Sequence, residues 1–229
     1  MTDTVHSTRL GLNEVYIVPT RDGSNTLFSQ RFNSTYHSIH GAVSESRHVF
    51  IQNGLYTQSG KAKLNILEIG FGTGLNAFLA YLFSIRNNIL LSYIGIDAFP
   101  ISPEVAAKLD YPGYLAANDL ADVFLKMHDS DKFKRKDFNF QLLNSLEQTP
   151  KKISFDCIFF DAFHPEPQPE LWSQDIFAML YKITATHGCL VTYCAQGEVR
   201  RSMEKAGFKV ERIPGATGKR EMLRAVKAV

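Results

Sequence analysis

Cysteine is scarce in this 229-residue chain, and all three copies, Cys157, Cys189 and Cys194, fall inside apolar, strand-like runs. That placement excludes a disulfide framework and argues for buried thiols in a reducing compartment. The seven histidines are scattered without ligand spacing, so no metal site is expected. No uninterrupted apolar run is long enough to span a bilayer, and Met1–Arg9 lacks the apolar core of a signal peptide. A cytoplasmic protein is the expectation. A charge excess of one sign is missing too: the net charge is +2, which does not demand a nucleic-acid partner. What remains, at 45% hydrophobic and 21% charged residues with no low-complexity tract, is the composition of an ordinary globular chain with a sizeable core.

The run from Leu64 to Asn76 is the most informative stretch present. An apolar β-type segment carries Glu68, breaks into Gly70, Gly72 and Gly74, and resumes as a helix. Glycines at that spacing let the backbone turn sharply and approach a ligand without a Cβ in the way. The layout puts the loop at the carboxyl end of a strand, where open α/β sheets bind nucleotide-type ligands. A phosphate-binding NTPase loop needs Gly-Lys-Ser/Thr, yet Leu75 and Asn76 follow Gly74. A dinucleotide fingerprint needs its third glycine where Leu75 stands. A carboxylate ahead of the loop would repel a pyrophosphate, whereas it suits the cationic amino-acid end of S-adenosylmethionine. A second apolar run, Leu90–Ile96, is closed by Asp97, placed to accept hydrogen bonds from both ribose hydroxyls of a nucleoside. The alternative is that Asp97 merely opens a turn.

The first sixty residues do not read as part of a doubly wound sheet. Asp22-Gly23 between two β-type runs signals a hairpin, and Ser44–Gln52 suits a helix with Val49 and Phe50 on its apolar face. We expect residues 1–60 to form an N-terminal extension packed on a main domain of residues 61–229. From Pro100 to Lys136 the pattern is mainly helical, with a break at Tyr111-Pro112-Gly113. Strands are expected at Phe138–Leu143, Phe155–Phe160 and Cys189–Cys194, and helices at Trp172–Tyr181, with Ser173 as N-cap, and Glu198–Ala206, stopped by Gly207. Phe208–Ile213 and Arg220–Val226 close the chain as strands. Strands alternating with helices predict a mostly parallel sheet covered on both faces.

A second constellation follows the Phe155–Phe160 run. Asp161 ends it and begins a loop stiffened by Pro165, Pro167 and Pro169 that runs to Trp172. At the carboxyl edge of the sheet Asp161 could orient a nucleophilic amine, while Phe163, His164 and Trp172 could stack on a base. Equally, Asp161 could cap a turn and the aromatic residues could fill the core. Basic residues gather beyond Glu198 and at Lys132, Lys134, Arg135 and Lys136, but a solvated face explains them as well as a phosphate backbone does.

Gly70-Phe71-Gly72-Thr73-Gly74-Leu75-Asn76, Asp97-Ala98-Phe99-Pro100, Asp161-Ala162-Phe163-His164-Pro165, Pro169-Glu170-Leu171-Trp172 and Gly218-Lys219-Arg220-Glu221-Met222-Leu223 occur in order. Together they resemble the methyltransferase domain of the MnmC-type tRNA-modifying enzymes, over nearly the whole chain from about Thr35. The resemblance implies a Rossmann-like, class I S-adenosylmethionine-dependent methyltransferase fold with a mostly parallel seven-stranded sheet and a closing hairpin. It implies methyl transfer to 5-aminomethyl-(2-thio)uridine at the wobble position of tRNA. It also implies a stand-alone form without the FAD oxidase domain, so that another enzyme makes the aminomethyl substrate. By the same resemblance Glu68, Gly70, Phe71, Gly72, Thr73, Gly74, Asn76, Asp97, Ala98, Phe99, Asn144 and Asp161 hold the cofactor. Asp161 is the catalytic residue, and Phe163, His164, Trp172, Lys219 and Arg220 meet the tRNA. Asn144 stands where many relatives carry an acid, and its amide oxygen can still accept from an adenine amino group. Other readings are a methyltransferase of a small molecule or protein, or a non-catalytic nucleoside-binding protein of the same fold. A dehydrogenase is opposed by Leu75 and Glu68.

Overall fold

The computed structural model describes Leu10, Gly11 and residues 14–228; Met1–Arg9, read above as lacking a leader's apolar core, lies outside them. Val15–Pro19 (β1) and Asn25–Ser29 (β2) pair antiparallel across the Asp22-Gly23 turn, and Ser34–Thr35 (β3) completes a small sheet. Ala42–Ser46 (α1) runs directly into a π-helical segment, Arg47–Gln52, that buries Val49, Phe50 and Ile51. The expected helix over Ser44–Gln52 is thus present but changes pitch midway.

The main sheet starts with Lys63–Ile69 (β4), followed by helix Leu75–Asn87 (α2) and Leu90–Ile96 (β5). Short helices Pro103–Ala107 (α3) and Tyr111–Tyr114 (α4) precede Ala121–Asp129 (α5). The expected break at Tyr111-Pro112-Gly113 is itself a helical turn, because proline sits in the first turn where its missing N–H costs nothing. Lys132–Arg135 (β6) then pairs antiparallel with Phe138–Leu143 (β7). This corrects the reading of the region up to Lys136 as helical: Phe133 is buried while its cationic neighbours are exposed, a β alternation too short to see beside the preceding helix. Phe155–Phe160 (β8), Gln174–Ile183 (α6), Thr184–Thr192 (β9), Gly197–Ala206 (α7), Lys209–Pro214 (β10) and Glu221–Val226 (β11) complete the chain. β9 begins before the expected start at Cys189 because Thr184 already pairs with Phe155, ahead of a register shift.

The strand order is β10-β11-β9-β8-β4-β5-β7-β6, so the sheet has eight strands: the expected seven plus the edge strand β6. β9, β8, β4, β5 and β7 are parallel; both edges are antiparallel. Alternate residues feed two cores. Ile66, Tyr93, Phe159 and Val191 pack with Phe78 of α2 and Phe124 of α5, while Leu67, Ile94, Ile158 and Leu190 pack with Phe177 of α6 and Met203 of α7. The three cysteines are free and buried, as their apolar context requires. Among the described residues no helix is long and apolar enough to cross a membrane. The order in which strands are added reverses between β4 and β8, and a crevice opens there at the carboxyl ends of the parallel strands.

Candidate active site

Three hydrogen bonds to the end of β5 shape the glycine loop. The N–H groups of Gly70 and Phe71 both donate to the Ile96 carbonyl, at 2.9 and 3.1 Å, tying the loop to the end of β5. Asp97 then accepts from Gly72 N at 2.7 Å and from Phe99 N at 2.8 Å. Gly70 needs to be glycine twice over: its φ is +87°, and a Cβ would sit 2.4 Å from the Asp161 carbonyl oxygen. Gly72, at φ +53°, lies under the Tyr36 ring.

A cavity of about 1120 Å³ opens above this loop. At its floor the Asn76 amide nitrogen donates to two carboxylates at once, Glu68 Oε1 and Asp161 Oδ2, each at 2.8 Å. Tyr93 OH donates to the other oxygen of Glu68 at 2.7 Å. Burial pushes the Glu68 carboxyl up to about 8, against the lowering effect of the Tyr93 and Asn76 hydrogen bonds. Burial likewise raises Asp161 well above the usual carboxylate range, reinforced by the charges of Glu68 and Glu45 and opposed by Asn76 and Lys219. Asp97 is raised too, by burial, with its two backbone donors working the other way. Asn76 is 3% exposed and its Oδ1 has no hydrogen-bond partner, although both its N–H groups do. A buried lone acceptor beside two acids is matched by a cationic ligand bearing an ammonium group, such as the amino-acid end of S-adenosylmethionine.

The far wall comes from distant parts of the chain. Phe32 stacks on Phe163 with centroids 4.4 Å apart, and Tyr36 meets the Phe163 ring edge-on at 5.0 Å. Lys219 Nζ bonds Glu45 Oε1 at 2.6 Å and lies 4.0 Å from the centre of the Tyr193 ring. His164 Nε2 is 3.1 Å from the Gln196 amide nitrogen at the mouth.

The expected residues divide by position. Gly70, Phe71, Gly72, Thr73, Asn76, Asp97, Ala98, Phe99, Asn144, Asp161, Phe163, His164 and Lys219 line the cavity. Glu68 does not: it is fully buried and touches the cavity only through Asn76, which alters the expected direct contact with a ligand. Gly74 is the αL cap of α2, with His128 and Phe71 where its side chain would be. Trp172 is corrected outright: it is 5% exposed, packs on Phe160 and Phe177, and donates Nε1–H to the Phe163 carbonyl at 2.9 Å. It braces the proline loop and offers no face to a base. Lys219 points into the cavity and is paired with Glu45, so the expected surface contact with phosphate does not describe it, whereas Arg220 is exposed. Phe32, Tyr36, Glu45 and Tyr193 also line the cavity and were not anticipated; their only sequence signal is two aromatic residues in a polar stretch after the hairpin. Among the described residues no group of three or more His, Cys, Asp or Glu could hold a metal ion.

Residues 120–228 match a family model for S-adenosyl-L-methionine-dependent methyltransferases. With the strand order and the glycine loop, that match defines a class I methyltransferase dependent on S-adenosylmethionine. The tRNA 5-methylaminomethyl-2-thiouridine biosynthesis bifunctional protein MnmC of Pseudomonas savastanoi pv. phaseolicola is 32% identical over 220 residues, covering 86% of this chain. The MnmC of Azoarcus sp. is 32% identical over 215 residues, covering 87% of this chain. This chain spans 32% and 34% of those two proteins' lengths. The crystal structure of MnmC2 from Aquifex aeolicus superposes with a TM-score of 0.77 at 26% identity, covering 94% of this chain and 71% of that one. Over most of its length the chain is thus similar to the MnmC proteins and to MnmC2, and its C-terminal half matches the methyltransferase model.

Proposed function

We propose that the protein methylates the amine of 5-aminomethyl-(2-thio)uridine at the wobble position of tRNA, giving the methylaminomethyl form. The observation that carries this reading is Asp161: a half-buried acid at a parallel strand end, held by Asn76, with an aromatic ring, Phe163, two residues on in the same cavity. Similarity to relatives named for 5-methylaminomethyl-2-thiouridine biosynthesis supports the choice of substrate.

Bound S-adenosylmethionine supplies an electrophilic methyl group. In this reading Asn76 Oδ1 receives its ammonium group, with Glu68 fixing the Asn76 amide from behind. Gly70, Phe71, Gly72 and Thr73 form the cradle beneath it, and Gly74 turns the chain into α2 behind them. Asp97 takes the ribose hydroxyls with its remaining lone pairs, beside Ala98 and Phe99, and the Asn144 amide oxygen takes the adenine amino group. Asp161 accepts a hydrogen bond from the substrate amine, aligns its lone pair for in-line attack and takes its proton; a raised carboxyl pKa makes it a stronger base. Phe163 packs on the flipped base, His164 sits at the entrance, and exposed Arg220 meets phosphate. We take residues 1–60 as an extension packed on a catalytic domain of residues 61–229, working in the cytoplasm where tRNA is.

The test is to incubate the protein and radiolabelled S-adenosylmethionine with tRNA from cells lacking this gene, then to digest the tRNA and identify the labelled nucleoside. Label in methylaminomethyluridine or its 2-thio form is expected. Binding of the cofactor with no label in aminomethyl-bearing tRNA would refute the reading.

A further inference from the structure

One partly buried ion pair in the cavity is given no step in the chemistry above. Lys219, from the loop joining β10 to β11, meets Glu45 of α1, 174 residues away, at 2.6 Å. Glu45 is itself held: its second oxygen accepts from Ser38 N at 2.7 Å, and only 5% of the residue is exposed. The Tyr193 ring supports the ammonium from below at 4.0 Å. Lys219 is therefore oriented rather than free to swing. An ammonium carries three N–H donors and no acceptor. Glu45 takes one of them, which leaves donors for a group inside the cavity that Lys219 and Asp161 share. The same Tyr193 ties Lys219 to the end of β8, since its hydroxyl donates to the carbonyl of Ala162, next to Asp161, at 2.9 Å.

Substrate geometry says what that group is. The amine of a 5-aminomethylated pyrimidine hangs one methylene from C5, and C4 is the adjoining ring atom. An amine seated on Asp161 thus brings the C4 substituent alongside. In uracil that substituent is a carbonyl oxygen, an acceptor; in cytosine it is an amino group, a donor. A fixed cation satisfies the first and opposes the second. We propose that Lys219, oriented by Glu45, selects uracil over cytosine by donating to the C4 carbonyl oxygen beside the aminomethyl group. The inference rests on the aminomethyluridine reading of the site.

Two anticodon stem-loops test it, identical except for 5-aminomethyluridine or 5-aminomethylcytidine at the modified position. Methyl transfer to each is measured as kcat/KM for the full chain, for Lys219→Gln and for Glu45→Gln. The native chain should prefer the uridine by roughly 10- to 100-fold, the effect of one charged hydrogen bond made or left unmade. Lys219→Gln should bring the ratio towards one, because its amide can donate to the oxygen or, turned over, accept from the amino group. Glu45→Gln should lower the ratio by less. Cofactor binding by calorimetry checks folding; if Lys219→Gln fails to bind cofactor, the ratio in Glu45→Gln decides. An unchanged ratio in the deciding variant, or equal rates on both stem-loops with the native chain, would overturn the inference and leave the methylation reading standing. A native chain inactive on both would overturn the two together.

Discussion

The floor of the cavity and its far wall are built by opposite strategies. The floor is local: Glu68, the glycine loop, Asn76 and Asp97 come from one strand–helix–strand unit, with Asp161 added by the neighbouring parallel strand. The wall is assembled from remote segments, with Phe32, Tyr36 and Glu45 from the N-terminal region against Phe163, Tyr193 and Lys219. The floor is held by backbone bonds of the sheet and by buried acids whose partners are fixed. The wall is held by ring stacking and one ion pair. The division suggests that the floor serves a cofactor shared with other methyltransferases, while the wall serves the substrate peculiar to this one.

If that division is right, substitutions in the two regions should fail in different assays. The largest effect is expected for Asp161→Ala. Turnover should fall by about 100- to 10,000-fold, the usual worth of a positioned acid–base group, with cofactor binding largely kept. Stopped turnover without loss of calorimetric affinity would confirm it; unchanged turnover would remove Asp161 from the chemistry. Gly70→Ala should fail earlier, at folding and cofactor binding together. Its φ of +87° and the 2.4 Å approach to the Asp161 carbonyl cost about 1–3 kcal/mol before any repacking. A lowered melting temperature with weakened cofactor affinity is the expected result, and a native-like melt would show that the loop can shift.

The acids of the floor make a pH prediction. Glu68, Asp161 and Asp97 all have folded pKa values raised above the unfolded ones, and Glu68 reaches about 8. Between the unfolded and folded values the native state binds more protons, so each group lowers stability as pH rises, Glu68 across about 4.5 to 8. A cationic ligand favours their ionised forms, so cofactor affinity should rise over the same window and level off above it. Glu68→Gln should flatten part of both trends in melting and calorimetric titrations; retention of the full native slopes would assign them elsewhere. The smallest effect belongs to the wall. Phe32→Ala should raise KM for RNA by roughly 2- to 10-fold, the worth of one aromatic pair, and leave cofactor affinity unchanged. A change in cofactor affinity instead would erase the distinction between the two regions.

Legibility in the sequence follows the same boundary. Gly70, Gly72, Gly74 and Asp97 were readable because their constraint is local: positive φ, close approach and a strand end all leave marks within a few residues. Strand β6 was missed because four residues of edge strand carry too little periodicity beside a helix. Trp172 was ambiguous for a different reason. An aromatic residue in a proline-rich loop looks the same whether it faces solvent or the core, and only the packing of Phe160 and Phe177 decides. Lys219 was expected at the tRNA by resemblance, but its pairing inside the cavity was not legible, because its partner lies in a segment with no sequence relation to it.

By itself, the amino-acid sequence determined the class of fold, the glycine loop and the acids at the strand ends, since hydrophobic period and glycine placement act over a few residues. Tertiary structure alone decided which side chains share the cavity. It withdrew Glu68 behind Asn76, buried Trp172, and joined Glu45 to Lys219. Those outcomes depend on contacts between segments far apart in the chain, where geometry is set by how the sheet and its helices pack and not by any local pattern.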